Sequence, residues 1–176
     1  IEHDLDRWFA MGAGVGIKTG LQPGGGHLVA IDIDTRDPKL AEIIGAAALA
    51  HFGQLPCRIG QAPKMLLLAR CDEPISYMRV DFGQGSNGLP ERVELLSAGR
   101  QFVAAGIHPG TGKPYRWTAP LVAYDALPGV TAASLVAFLE ELRSVLPAAQ
   151  PIVREGGAAE VDQATLRGSA AAVAAA

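Results

Sequence analysis

At 176 residues the chain suits one domain with a sizeable core, or one domain plus a tail. With 49% hydrophobic and 19% charged residues its composition is globular, which excludes a disordered chain. The formal net charge of −3 at pH 7 argues against tight, autonomous nucleic-acid binding, which usually goes with a basic excess, yet leaves room for a basic groove beside an acidic metal site.

Residue 1 is Ile rather than Met, so the chain is expected to be an excised domain or a processed piece. Residues 1–11 (IEHDLDRWFAM) have Leu5, Trp8 and Phe9 at helical spacing. A strand is expected over about 14–18, ended by Gly20, then a turn at 21–26 (LQPGGG) and a buried strand at 27–34 (HLVAIDID). Asp37 and Pro38 are a cap and a first helical residue. They open a helix to Phe52–Gly53 whose buried face is expected to be Leu40, Ile43, Ile44, Ala47 and Ala48. Strands follow at 57–60 and 65–70 around a turn at 61–63, and another at 76–82. Segments 91–96 and 101–105 flank Ser97-Ala98-Gly99-Arg100, which reads as a hairpin turn. A loop at 108–114 (HPGTGKP) leads to a short strand at 115–117. A helix is predicted over Thr131–Leu146, with Val136, Leu139, Leu142 and Leu146 on one face and Pro147 ending it. The folded domain is thus expected at 1–147 and an Ala/Gly-rich, linker-like tail at 148–176. This order implies an α+β fold with a mostly antiparallel sheet.

Cys57 and Cys71 lack the paired spacing of a zinc site and read as buried or partly buried thiols in a reducing, cytoplasmic setting. No apolar run approaches the roughly 20 residues that span a membrane, and no signal peptide is visible. Trp8 and Trp117 read as packing residues.

The sharpest feature is V-A-I-D-I-D-T-R-D. Residues two apart on a strand share a face, so Asp32 and Asp34 project side by side, roughly 6–7 Å apart. Two carboxylates that close repel unless a cation lies between them. Mg²⁺ and Mn²⁺ prefer such oxygens and leave positions for water and phosphate, which is the chemistry of nucleotidyl transfer. The alternative is a pair of solvated aspartates at a strand end.

From about Gly14 to Trp117 the chain resembles the bifunctional primase/polymerase family of the archaeo-eukaryotic primase superfamily. The resemblance is carried in order by GVGIKTG, VAIDID, RIGQAPKMLLLAR and VELLSAGRQFVAAGIHPGTGKPYRW. It implies a small α/β unit beside an RRM-like unit, with the active site in the cleft between them. It also implies that Asp32, Asp34 and a later acidic residue, Glu94, are the catalytic, metal-holding carboxylates for Mg²⁺ or Mn²⁺. The family usually has a phosphate-contacting histidine after its second-motif turn; Lys64 stands there, a permanent cation able to bind phosphate as a point charge. The stretch that often precedes the first strand in the family is short or missing.

The same resemblance makes Arg58 and Lys64 candidates for neutralising a triphosphate. Arg100 and Gln101 become candidates for a phosphate or sugar, and His108 and Lys113 for a nucleotide or primer. For each the alternative is an ordinary solvated side chain. The implied partners are a single-stranded DNA template with its primer, nucleoside triphosphates, and a helicase domain in the same parent chain, often in mobile replication systems. Two rival readings remain: a module that binds nucleotide or DNA without catalysis, and an unrelated metal phosphohydrolase or nuclease. The loop HPGTGKP is not a P-loop, since Ile107 stands where its first Gly belongs and Pro114 where its hydroxyl belongs. Gly12-Ala13-Gly14-Val15-Gly16 likewise fails the dinucleotide fingerprint.

Overall fold

The computed structural model describes residues 7–8, 11–86 and 88–149; most of the expected first helix and nearly all of the tail lie outside them. The fold is organised by β3 (His27–Asp34). Alternation puts Val29, Ile31 and Ile33 on one face and Leu28 and Ala30 on the other, and all five are buried, as in a central strand. Antiparallel neighbours β5 (Met65–Cys71) and β7 (Glu91–Leu96) flank it. Beyond them lie β6 (Met78–Phe82), β4 (Cys57–Ile59) and β9 (Arg116–Trp117), in the order β6-β7-β3-β5-β4-β9. β2 (Gly20–Leu21) pairs antiparallel with β3 across the turn that follows it, so the chain continues as a strand past Gly20. β10 (Gly129–Val130) adds the one parallel pairing among the described residues, to β5. The expected α+β fold with a mostly antiparallel sheet is therefore present.

Two helices cover one face of this sheet. α1 (Pro38–Phe52) starts where the Asp37 carboxylate accepts the Lys39 and Leu40 amides. α2 (Ala132–Val145) starts at a reciprocal cap between Thr131 and Ser134. Ile44, Ala47 and Ala48 of α1 and Leu135, Phe138, Leu139 and Leu142 of α2 pack on Val29, Ile31 and Ile33. Each fully buried side chain of the Leu or Phe class contributes about 1.5–3 kcal/mol. Two residues expected inside are not: Ile43 is 45% and Val136 37% exposed. Spacing alone fits more than one stripe on each helix, and the sheet selects the stripe carrying Ile44 and Phe138. No helix among the described residues is long and apolar enough to cross a membrane.

The other sheet face is only half covered. β1 (Val15–Lys18) and β8 (Gln101–Ala105) form a separate antiparallel ribbon. It lays Ile17, Phe102 and Ala104 over Leu28, Ala30, Leu66, Leu68 and Leu96. This corrects the expected hairpin between 91–96 and 101–105. Ser97–Arg100 is a tight turn, closed by the Arg100 amide on the Ser97 carbonyl (3.1 Å) with Gly99 at φ 75°, but it is a corner that sends β8 to another sheet. The corner is pinned from below. The Thr19 hydroxyl donates to the Ser97 carbonyl at 2.6 Å, and the Ser97 hydroxyl donates to the Ile75 carbonyl. Gly20, at φ 100°, lets the chain pass so close to Ala98 that a Cβ would lie 2.8 Å from its Cα.

Trp117 packs as expected, edge-on to Phe102 with its indole N–H on the Ala104 carbonyl (2.8 Å). Trp8 does not: it is 55% exposed and belongs to neither core. Both cysteines are free thiols, Cys71 buried and Cys57 half-buried.

Candidate functional site

Past the edge of the ribbon the open sheet face turns from apolar to charged. Cross-strand register arranges its side chains in two rows. One row runs Arg79, Glu94, Asp32, Leu66, Arg58, Trp117 across β6, β7, β3, β5, β4 and β9. The next runs Asp81, Arg92, Asp34, with Lys64 alongside at the entry to β5. Asp32 and Asp34 share this face because they are two apart on β3, and Glu94 is the register partner of Asp32 on β7. Acid and base alternate along the second row, whereas in the first the two acids Glu94 and Asp32 stand side by side.

A cleft of about 190 Å³ opens over the Asp32–Asp34 end, walled also by Arg58, Lys64, His108 and Tyr115. The Lys64 ammonium lies on the Asp34 carboxylate. Arg58 is held from two sides: its Nη1 donates to the Val103 carbonyl at 2.5 Å, and its guanidinium carbon lies 4.6 Å from the centre of the Tyr115 ring. The Arg58 Nε is buried and has no hydrogen-bond partner among the described residues. His108 meets Tyr115 edge-on at 5.3 Å, and its Nδ1 accepts the Gly110 amide at 3.1 Å, which leaves Nε2 as the ring's donor. Both rings close over Gly60, where a Cβ would fall 2.4 Å from Tyr115 Cε1 and 2.7 Å from His108 Cδ2.

Burial raises the Asp32 carboxyl from 3.8 to about 6, against the lowering pull of Arg58; Asp34 and Glu94 add to the rise and Lys64 subtracts from it. Glu94 shares the face but directs its Oε1 to the Tyr77 hydroxyl, 2.5 Å away. Among the described residues, no group of three or more His, Cys, Asp and Glu side chains is gathered so as to hold a metal ion. Arg100 stacks its guanidinium 4.0 Å from the Tyr77 ring centre rather than entering the cleft. Gln101 is exposed at the start of β8, opposite Lys18, and Lys113 is exposed in the loop after His108. Thus Asp32, Asp34, Arg58, Lys64 and His108 come together, Glu94 and Arg100 stand one shell away, and Gln101 and Lys113 lie apart.

Sequence reasoning passed over Tyr115, Tyr77 and Glu91. Glu91 lies on the opposite face from Glu94 and is only 9% exposed. It accepts the Thr35 hydroxyl at 2.5 Å and the Arg36 amide at 2.6 Å, fixing the bend just after Asp34. The available signal was parity: Glu91 falls on the same strand face as the apolar Val93 and Leu95, the buried one.

Compared with known proteins, residues 2–130 match the family model described as bifunctional DNA primase/polymerase, N-terminal. Neither the curated proteins nor the solved structures give a significant match.

Proposed function

The chain belongs to the bifunctional DNA primase/polymerase family, and from that premise we propose that it joins nucleotides at the cleft above Asp32 and Asp34. One observation carries the reading. Two carboxylates at the end of β3 face the same small cleft as three groups able to bind phosphate, Arg58, Lys64 and His108. In the same reading the substrates are a primed single-stranded DNA template and a nucleoside triphosphate. The parent chain would add a helicase, and the cleft would lie between a small α/β unit and an RRM-like unit.

The donor set fits a hard divalent cation. Asp32 and Asp34 offer carboxylate oxygens only, and burial, which raises Asp32, makes its bare charge costly in a way a bound cation would offset. Mg²⁺ or Mn²⁺ held by Asp32 and Asp34, with Glu94 as a further donor, would supply Lewis acidity toward the attacking hydroxyl and the α-phosphate. The chain's own groups do the rest. Arg58, already immobilised by Val103 and Tyr115, offers a fixed positive charge to the triphosphate. Lys64 exchanges the Asp34 carboxylate for a phosphate oxygen, and His108 donates from Nε2. The Tyr115 ring keeps Arg58 and His108 at their stations.

The test is extension of a primed single-stranded template with labelled dNTPs and Mn²⁺ or Mg²⁺, beside the Asp32→Ala/Asp34→Ala double variant. Extension that disappears in the folded double variant is the expected result; wild-type rates from it would sink the reading. A second reading, a module that binds nucleotide without joining it, draws on Lys64 lying on Asp34 and Glu94 lying on Tyr77. Nucleotide binding with no extension in either metal would favour it.

A further inference from the structure

Glu94 is the register partner of Asp32 on the neighbouring strand, close enough in backbone for the two carboxylates to share an ion. They do not gather with Asp34 into a three-carboxylate group among the described residues. The cause lies in a side chain. Tyr77 stands just before β6 on the same sheet face, two residues from Arg79, the register partner of Glu94. Its hydroxyl donates to Glu94 Oε1 at 2.5 Å and so draws the carboxylate along β7, toward the ribbon. Tyr77 is itself held: the Arg100 guanidinium covers its ring at 4.0 Å, and Arg100 is fixed by its amide on Ser97 (3.1 Å) and its carbonyl on the Thr19 amide (2.9 Å).

We propose that Tyr77 is a positioning residue that parks Glu94, so that the chain presents a two-carboxylate cation site at rest and Glu94 joins it only by giving up the Tyr77 hydroxyl. The proposal rests on the metal-binding reading above and deepens it. A hydrogen bond to a charged group competes with cation binding only if it must be broken for the cation to bind. Removing it then tightens binding, whereas removing a bond that orients a ligand already in place weakens metal affinity 10–100-fold.

The experiment is titration of the full chain with Mn²⁺ alone, reading free Mn²⁺ by electron paramagnetic resonance, for wild type, Tyr77→Phe, Glu94→Gln and the double variant. The expected result is a Kd lowered about tenfold in Tyr77→Phe, with no such gain when Glu94→Gln is already present. An unchanged or higher Kd in Tyr77→Phe, or a gain that survives Glu94→Gln, overturns the proposal. Thermal melting checks that each variant folds, and Tyr77→Leu serves as a second hydroxyl-free variant. Asp32→Asn separates the two levels. Wild-type Mn²⁺ binding that Asp32→Asn abolishes, with no response to Tyr77→Phe, defeats the parking alone. No Mn²⁺ binding by wild type or Tyr77→Phe defeats the metal reading and the parking together.

Discussion

Lys64 carries its ammonium to the Asp34 carboxylate, so one of the two strand-end acids is already neutralised by a cation of the protein itself. Both partners are partly open to solvent, at 29% and 41%, and such a pair contributes only about 0–1 kcal/mol. Lys64 can therefore change partners cheaply when a stronger anion enters. Lys64→Met is expected to weaken nucleotide binding about tenfold, as for loss of a charge-assisted bond, and to shift the urea unfolding midpoint little. Titration with a fluorescent nucleotide triphosphate, beside urea unfolding, reads both. Unchanged nucleotide affinity would confine Lys64 to a surface ion pair.

Asp32 makes a prediction about pH. Its folded carboxyl titrates near 6, above its ordinary 3.8, so folding favours the protonated form. The stability this contributes is complete below about 3.8 and is lost as pH rises through 6. Above that, the ionised group costs the metal-free fold on the order of 3 kcal/mol. Asp32→Asn is expected to make the protein more stable than wild type in urea at pH 7.5 with chelator present, and nearly equal to it at pH 4. Mn²⁺ affinity of the wild type is expected to fall about tenfold per pH unit below about 6, because a ligand carboxylate must be deprotonated. A stability gain independent of pH would assign the effect of Asn to packing instead.

Glu91 is the buried acid the fold uses for structure. With its carboxylate gone, the Thr35 hydroxyl and the Arg36 amide lose their acceptor. Glu91→Ala is expected to cost about 2–3 kcal/mol in urea denaturation. It should also lower extension activity, since the bend from Asp34 into α1 hangs on those two bonds. Glu91→Gln keeps one acceptor and should cost about half as much. Full stability in Glu91→Ala would show that the Asp37 cap alone holds the bend.

What sequence made legible was what depends on near neighbours. β3 follows from its apolar run, the start of α1 from the Asp37 cap and α2 from the helical spacing of its apolar residues, and the shared face of Asp32 and Asp34 follows from parity on one strand. What it hid depends on distant partners. The turn at Ser97–Arg100 is legible as a turn, but β8 pairs with β1 because Phe102 and Ala104 complete an apolar patch on the far sheet face, which no local signal encodes. The register of β3 with β7 sets Glu94 beside Asp32, yet the Glu94 carboxylate accepts the hydroxyl of Tyr77, seventeen residues away, a contact no local pattern announces. Tyr115 enters the cleft only because β9 pairs with β4, again a long-range choice.

Gly60 tests the cleft's aromatic wall with the least disturbance elsewhere. It sits just after β4, its φ lies outside the left-handed region, and so alanine meets no backbone penalty there. The penalty is purely one of space: a methyl would lie 2.4 Å from Tyr115 Cε1 and 2.7 Å from His108 Cδ2, so one or both rings must swing away. Displacing Tyr115 frees the Arg58 guanidinium from its stacking partner, and displacing His108 removes the Nε2 donor from the cleft. Neither ring belongs to the two apolar cores, so the fold should survive. Gly60→Ala is therefore expected to raise the KM for nucleotide about tenfold or more, with a urea midpoint near that of wild type. If nucleotide KM holds while the rings are displaced, the phosphate subsite does not depend on the Arg58–Tyr115–His108 stack, and Lys64 carries it alone.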